Sequence, residues 1–404
     1  MYNYYEPGKW WTCLYNTVPA VRNAMSIPAK VDIQDTTLRD GEQTPGLVFS
    51  VDEKVRIAEM LNDIGVERIE AGMVAVSEAD REAIKRIVRM PNRFKYIGAL
   101  CRAKKEDIDM AEDCGANNII IECPISVPKL KYQYNWTIDK AIDITIPAIE
   151  YAKSKGFNVS LSSFDTTRAD QDELEKYLTT IMKTCRPDSV TILDTMGSAL
   201  PEAIAYMVRW IKDMCDGISV EVHTHNDFGM GTATEIAGIC AGADVVHTCI
   251  NGLGDRMGNA ALEEVAFAMK VLLGLDNDYN LLALEPACKY VAELTGRPLP
   301  VNKPVIGVTN YSREAGMGAN LAVENPLVMF ATDPSIIGRK GRVILGKKSG
   351  KANVEYLLKQ NGWTADKDQI AAMVQDIKTM AVAKKRILTD DEFKQIAGKY
   401  IKVD

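Results

Sequence analysis

The chain has 404 residues, 47% of them hydrophobic and 25% charged, with a formal net charge of −7. That length suits one large domain with a smaller one, and the acidic balance excludes the basic footprint that a nucleic-acid partner requires. No apolar run reaches the roughly 20 residues of a membrane span, residues 1–26 lack an apolar leader core, and nine scattered cysteines without a CxxC pair fit reduced thiols in a cytoplasmic protein.

Residues 1–26 form an aromatic-rich arm (Tyr2, Tyr4, Tyr5, Trp10, Trp11, Tyr15), expected to pack on the rest of the chain or on a second subunit. From residue 27 to 279 the pattern alternates. Short apolar runs rich in β-branched residues occur at Val31–Thr37, Glu67–Gly72, Phe94–Leu100, Asn117–Pro124, Asn158–Asp165, Ser189–Thr195, Ser219–His225 and Val245–Gly252. Between them lie stretches of helical periodicity such as VDEKVRIAEMLNDIG and LPEAIAYMVRWIKDM. Strand–helix alternation calls for a parallel sheet, and eight strands are the number that closes a barrel. An open, doubly wound sheet would more naturally carry a glycine-rich phosphate turn after its first strand, whereas this turn reads TTLRDGEQ. The predicted fold class is therefore an α/β (β/α)₈ TIM barrel. Residues 280–345, with Pro286, Pro298, Pro300, Pro304 and Pro326, read as an irregular connector or lid. Residues 346–404 read as a small helical subdomain, one helix of which opens on a capping box, Thr389 to Glu392.

A barrel puts its chemistry where its strands end. The first strand delivers Arg39, Asp40, Glu42 and Gln43, the second Glu70, the third Arg102, and the sixth Asp194 and Thr195. The seventh ends on His223-Thr224-His225, whose imidazoles point the same way because strand residues two apart share a face. Two core histidines are the bland reading of an isolated HxH. At a strand end facing LRDGEQ, the pair reads instead as metal ligands, with Asp40 adding a carboxylate and Asn259, in RMGNAAL, an amide oxygen. Two nitrogens and two oxygens suit a divalent metal ion, Zn²⁺, Mn²⁺ or Mg²⁺. The third histidine, His247, lies inside the eighth strand and reads as a packed or hydrogen-bonded wall residue, so no histidine is left to act as a general base.

The segments DTTLRDGEQTPG, IEAG, DTMG, HTHND, NGLGDRMGNAALEE and GKKSGK, in this order over residues 30–350, resemble the homocitrate/isopropylmalate/citramalate synthases, which share their barrel with 3-hydroxy-3-methylglutaryl-CoA lyase. The resemblance implies a cytoplasmic, homodimeric acyltransferase that condenses an acyl-CoA, expected to be acetyl-CoA, with an α-oxo acid. It matches Asp40, His223, His225 and Asn259 to the metal ligands and Arg39 to the arginine on the enolate oxygen. It matches Gln43, Glu70, Arg102, Ser126 and Thr195 to positions around the oxo acid. The chain also departs from the family. Phe164 stands where the synthases carry a glutamate, Arg313 where they carry a connector histidine, and Lys129 where they carry another histidine. The lyase branch's loop cysteine is absent from GLGDRMGN. Glu70, Glu314, Lys129 and Tyr311 are left as proton carriers, and Glu70 or Glu314 is expected to handle the proton. Arg313, permanently charged, is expected to bind a substrate carboxylate, which implies an oxo acid with an additional acidic group. GKKSGK reads equally as a phosphate contact or as the solvated basic start of the last helical unit. A chain ending at Asp404 is expected to lack a C-terminal regulatory domain. Two other readings stay open: a carbon–carbon lyase or aldolase, and a non-catalytic metal-binding barrel.

Overall fold

A computed structural model describes residues 3–275 and 277–403. Eight parallel strands close into a barrel: β1 (Asp32–Asp35), β2 (Arg68–Met73), β3 (Tyr96–Arg102), β4 (Asn118–Pro124), β5 (Asn158–Phe164), β6 (Ser189–Asp194), β7 (Ser219–Thr224) and β8 (Val245–Thr248), with β8 pairing back onto β1. The helices that follow the strands are α1 (Val51–Ile64), α2 (Glu78–Arg89), α3 (Lys105–Cys114), α4 (Ile138–Ser154), α5 (Gln171–Thr184), α6 (Pro201–Met214), α7 (Gly231–Ala241) and α8 (Leu262–Ala268). Each amphipathic helix buries one stripe on the sheet: α1 buries Ile57, Ala58, Leu61 and Ile64, at helical spacing. Caps set where they start. In α1, Ser50 accepts the Glu53 N–H while the Glu53 carboxylate accepts the Ser50 N–H. Among the described residues no helix is long and apolar enough to cross a membrane.

Outward-facing strand residues such as Ile119, Ile121 and Val220 are buried beneath the helices. The barrel axis, in contrast, is polar. Glu221 of β7 is fully buried and accepts hydrogen bonds from Arg68 (3.2 Å), Ser160 (3.2 Å), Ser189 (2.7 Å) and Thr191 (3.2 Å). Burial alone would raise the pKa of this carboxyl, but His247 and Arg68 outweigh it and lower it to about 2. A charge this deep persists because it is paired and its lone pairs are filled.

The chain divides into two compact units, residues 17–299 and residues 300–403 with 3–16. The helix α9 (Leu284–Thr295) belongs to the first, tied by the Asn251 amide to the Cys288 carbonyl at 2.8 Å. The barrel unit thus runs past the expected limit of residue 279. In the second unit the hairpin of the aromatic arm, Tyr5–Glu6 with Trp10–Trp11, is held by the Trp11 N–H on the Ala331 carbonyl at 2.8 Å. Residues 300–345 of the connector and the tail also fall in this unit, where α10 (Lys351–Gln360), α11 (Lys367–Lys384) and α12 (Asp390–Ala397) share a core of Val354, Met373, Ile377, Phe393 and Ile396. The capping box at Thr389 is present as expected.

Candidate active site

After β1 the backbone folds into a tight turn in which the Thr36 carbonyl accepts the N–H groups of Arg39, Asp40 and Gly41. That turn places Asp40 over the strand ends. From β7, inward parity continues through Glu221, His223 and His225, and the His225 N–H is held on the Asp194 carbonyl at 3.2 Å. Asn259 arrives on the glycine-rich loop after β8. A Cβ on Gly254 would overlap the Asn259 amide and one on Gly258 the Gly252 carbonyl, and both glycines have positive φ. Only glycine lets this loop close so tightly.

Asp40, His223 and His225 bring one ligand atom each within 4.8 Å of one another. The Asp40 Oδ2 lies 3.6 Å from His223 Nε2 and 3.7 Å from His225 Nε2, too long for hydrogen bonds. Two ligands on one tetrahedral cation at about 2.1 Å stand about 3.4 Å apart. The three residues therefore fit a divalent ion better than they fit one another. Burial keeps both imidazoles neutral, lowering the His225 pKa to about 4 and His223 in the same direction. Burial would raise Asp40, but the Arg39 guanidinium beside it outweighs this and holds the carboxyl well below its ordinary range. The Asn259 Nδ2 donates to Asp40 Oδ2, while its Oδ1 is buried with no partner, an acceptor available to a cation. His223 Nδ1 sits 3.2 Å from His247 Nδ1, and His247 Nε2 is 3.1 Å from Glu221. The wall histidine thus anchors the ring of His223 from behind.

Beside this cluster Arg39 forms a fork on Glu70, Nε to Oε1 at 2.7 Å and Nη2 to Oε2 at 2.9 Å, while Nη1 reaches Asp40 at 3.1 Å and Gln43 at 3.4 Å. Burial works against the guanidinium charge, but Glu70 and Asp40 overcome it and raise its pKa. Glu70 is thereby committed to holding Arg39. A cavity of 480 Å³ opens above, lined among others by Arg39, Asp40, Gln43, Glu122, Thr195 and the two histidines. Thr195 accepts the Asp165 N–H through its hydroxyl at 2.9 Å.

Two other expected site residues of the barrel unit lie outside the cavity lining. Arg102 turns away from the cavity onto Asp107 of α3, Nε at 2.8 Å and Nη2 at 2.7 Å. Ser126 is fully buried beneath the turn after β4, its hydroxyl accepting the Lys129 N–H at 3.3 Å. In the second unit, the Glu314 carboxylate accepts the Lys348 N–H at 3.0 Å, so the GKKSGK backbone is tied to it. In that same unit Arg313 donates Nη2 to the Met317 carbonyl at 3.2 Å and its Nε is buried without a partner, while the Tyr311 hydroxyl is spent on Thr332 at 2.7 Å.

Among the charged residues that line the cavity, Glu122 and Arg256 are two that carried no role in the sequence reading. The signal for Glu122 was its position, a lone acid breaking the apolar run NNIIIECP at inward parity. Lys129 and Phe164, two of the departures from the family pattern, meet: the Lys129 ammonium lies 4.7 Å from the centre of the Phe164 ring. Arg256 clamps the loop, bonding Asp227 and Asp255 at 2.9 Å each and the Thr195 carbonyl.

The HMGL-like family model matches residues 30–291, and the homocitrate synthase post-HMGL domain-like model matches residues 305–385. The chain belongs to the HMGL-like family. It is 39% identical to a probable 2-isopropylmalate synthase of Ignicoccus hospitalis, over 93% of this chain and 94% of that one. It is 37% identical to the homocitrate synthase AksA of Methanocaldococcus jannaschii, over 92% and 91%. A putative (R)-citramalate synthase of Archaeoglobus fulgidus is 38% identical over 90% of this chain and 74% of its own length. Within the family this chain is thus an enzyme of the acyl-transferring synthase branch. The fold matches the hydroxymethylglutaryl-CoA lyase of Pseudomonas aeruginosa at TM-score 0.61 and 19% identity, over 68% of this chain and 96% of that one.

Proposed function

We propose that this enzyme condenses acetyl-CoA with a 2-oxo acid held on a divalent cation by Asp40, His223, His225 and Asn259. The observation that carries the reading is the buried trio, at separations suited to a cation, with the fixed Arg39 guanidinium alongside. A cation bound there supplies Lewis-acid polarisation of the oxo group. The chain's own residues do the rest. Arg39, immobilised by Glu70, presents positive charge where the thioester oxygen becomes an enolate, and it needs no reorganisation to do so. Gln43 and Thr195 supply polar contacts at the cavity wall, while Leu100, Leu193, Met73 and Phe164 exclude water. Glu70 acts through Arg39, which it positions. The match of the segment after the barrel to the homocitrate synthase domain supports synthesis over cleavage. The test is release of free thiol from acetyl-CoA by the metal-loaded protein across a panel of 2-oxo acids of graded length and charge. Thiol release dependent on one oxo acid, with one molecule of condensed product per thiol, is expected. No oxo-acid-dependent release across the panel, together with cleavage of a 3-hydroxyacyl-CoA, would replace this reading with the lyase.

A further inference from the structure

The condensation needs a group that removes a proton from the acyl thioester, and most candidates in the cavity are committed. Asp40 and the two histidines form the cation cluster. Both oxygens of Glu70 are on Arg39. Asp255 is paired with Arg256 at 2.9 Å. Glu122 is different. It is the third inward residue of β4, after Asn118 and Ile120, and its side chain reaches the cavity wall. Its carboxylate makes no hydrogen bond and no ion pair with any described residue, although Arg39, Glu70, Asp40 and Lys129 all face it electrostatically. Burial raises its pKa, with Glu70 and Asp40 adding to the effect and Arg39 and Lys129 opposing it. A carboxylate of raised basicity is a better proton acceptor near neutral pH than an ordinary one. A carboxylate with a structural duty would be bonded, as Glu70, Asp107 and Glu221 are in this same barrel.

We propose that Glu122 is the general base that deprotonates the α-carbon of the acyl thioester. This rests on the condensation reading above. In the step, the α-C–H bond breaks and its proton passes to a Glu122 carboxylate oxygen. The electron pair remains as the enolate, whose oxygen faces Arg39, and then forms the carbon–carbon bond to the carbonyl carbon of the oxo acid. The oxo oxygen takes up the negative charge, and water then cleaves the C–S bond of the condensed thioester, leaving a carboxylate and releasing the free thiol. Arg39 and, more weakly, Lys129 favour the ionised form of Glu122 before the transfer, and the Lys129 ammonium rests on Phe164 rather than bonding the base.

The experiment uses the full-length, metal-loaded enzyme and the oxo acid found active with acetyl-CoA. Glu122→Gln keeps shape and hydrogen-bonding capacity but cannot accept the proton. Its kcat is expected to fall by about 10²- to 10⁴-fold, the usual worth of a general base. Binding of the oxo acid, by calorimetry, should stay within about threefold, because a lost base leaves ground-state binding intact. Deuterium uptake from D₂O into the acetyl group, followed with a non-condensing oxo-acid analogue, should be lost in parallel. Glu122→Ala with added formate provides a second measure, and formate should restore part of its thiol release. A Glu122→Gln enzyme with kcat within about threefold of wild type would refute the assignment while the condensation stands. Wild-type enzyme that releases thiol with no oxo acid would remove both.

Discussion

Asp35, at the end of β1, gives the sharpest test of barrel energetics. Its carboxyl is buried under the β1–β8 junction, accepting the Thr37 N–H at 2.9 Å and lying 3.4 Å from the Thr248 hydroxyl. Burial raises its pKa from 3.8 to about 7; Glu263 adds to this, and the Thr37 and Thr248 contacts only partly oppose it. In the unfolded chain the group ionises near its ordinary value. Between roughly pH 4 and 7 the folded protein therefore keeps a proton that the unfolded chain has released, and stability falls as pH rises. A shift of about three units at about 1.4 kcal/mol per unit gives about 4 kcal/mol in all, present below the unfolded pKa and lost by the time pH passes the folded one. About 1.5 kcal/mol of that is already lost at pH 5, so the part to be measured between pH 5 and 8 is about 2–3 kcal/mol. Asp35→Asn keeps the acceptor for the Thr37 N–H and cannot ionise. Urea unfolding of both proteins at pH 5, 6.5 and 8 isolates the effect, because all other titrating groups cancel in the difference. The asparagine variant should gain about 2–3 kcal/mol relative to wild type from pH 5 to pH 8. A difference between the two proteins that stays constant over this range would show that Asp35 is ionised in the fold, and the reasoning would fail.

Two further perturbations test the site. In a His223→Ala/His225→Ala double variant, elemental analysis should find the divalent ion lost while circular dichroism shows the barrel intact; stoichiometric retention would rule out the assigned ligands. Arg39→Lys keeps the charge but not the planar fork on Glu70, and kcat should fall about 10²-fold, as for other lost oxyanion donors. An effect confined to KM would assign Arg39 to ground-state binding instead.

Much of the barrel was legible because its outer faces obey simple periods. Alternate strand residues meet helices that carry apolar stripes, and both patterns survive in the sequence. The ends of the elements were less so. The run Val31–Thr37 looks continuous, yet β1 stops at Asp35 because the Thr36 carbonyl captures three successive N–H groups and turns the chain. Pro286 suggested an irregular connector, yet it lies in the first turn of α9, where a missing N–H costs nothing. The polar axis around Glu221 was hidden for another reason. Ser160, Ser189 and Arg68 look like interruptions of their strands until tertiary structure brings them to one carboxylate.

In the site, residues fixed by local turns were readable and those decided by competition between partners were not. Asp40, His223 and His225 converge because strand parity and the turn after β1 leave them no other direction. Arg102 has a choice, and a buried Asp107 in the first turn of α3 takes both its guanidinium and its N–H, drawing it from the cavity. Glu70 read as a base because it is an acid at a strand end, but an acid facing an arginine at 2.7 Å becomes the arginine's anchor. Glu122 shows the converse. It is marked only by having no partner, and an absence of partners exists in the folded chain alone. The departures Phe164 and Lys129, isolated from each other in the sequence, are a contacting pair beside that carboxylate. Arg39 and, more weakly, the ammonium held on that aromatic face bias Glu122 towards ionisation against its burial, which is the balance that the proposed base requires.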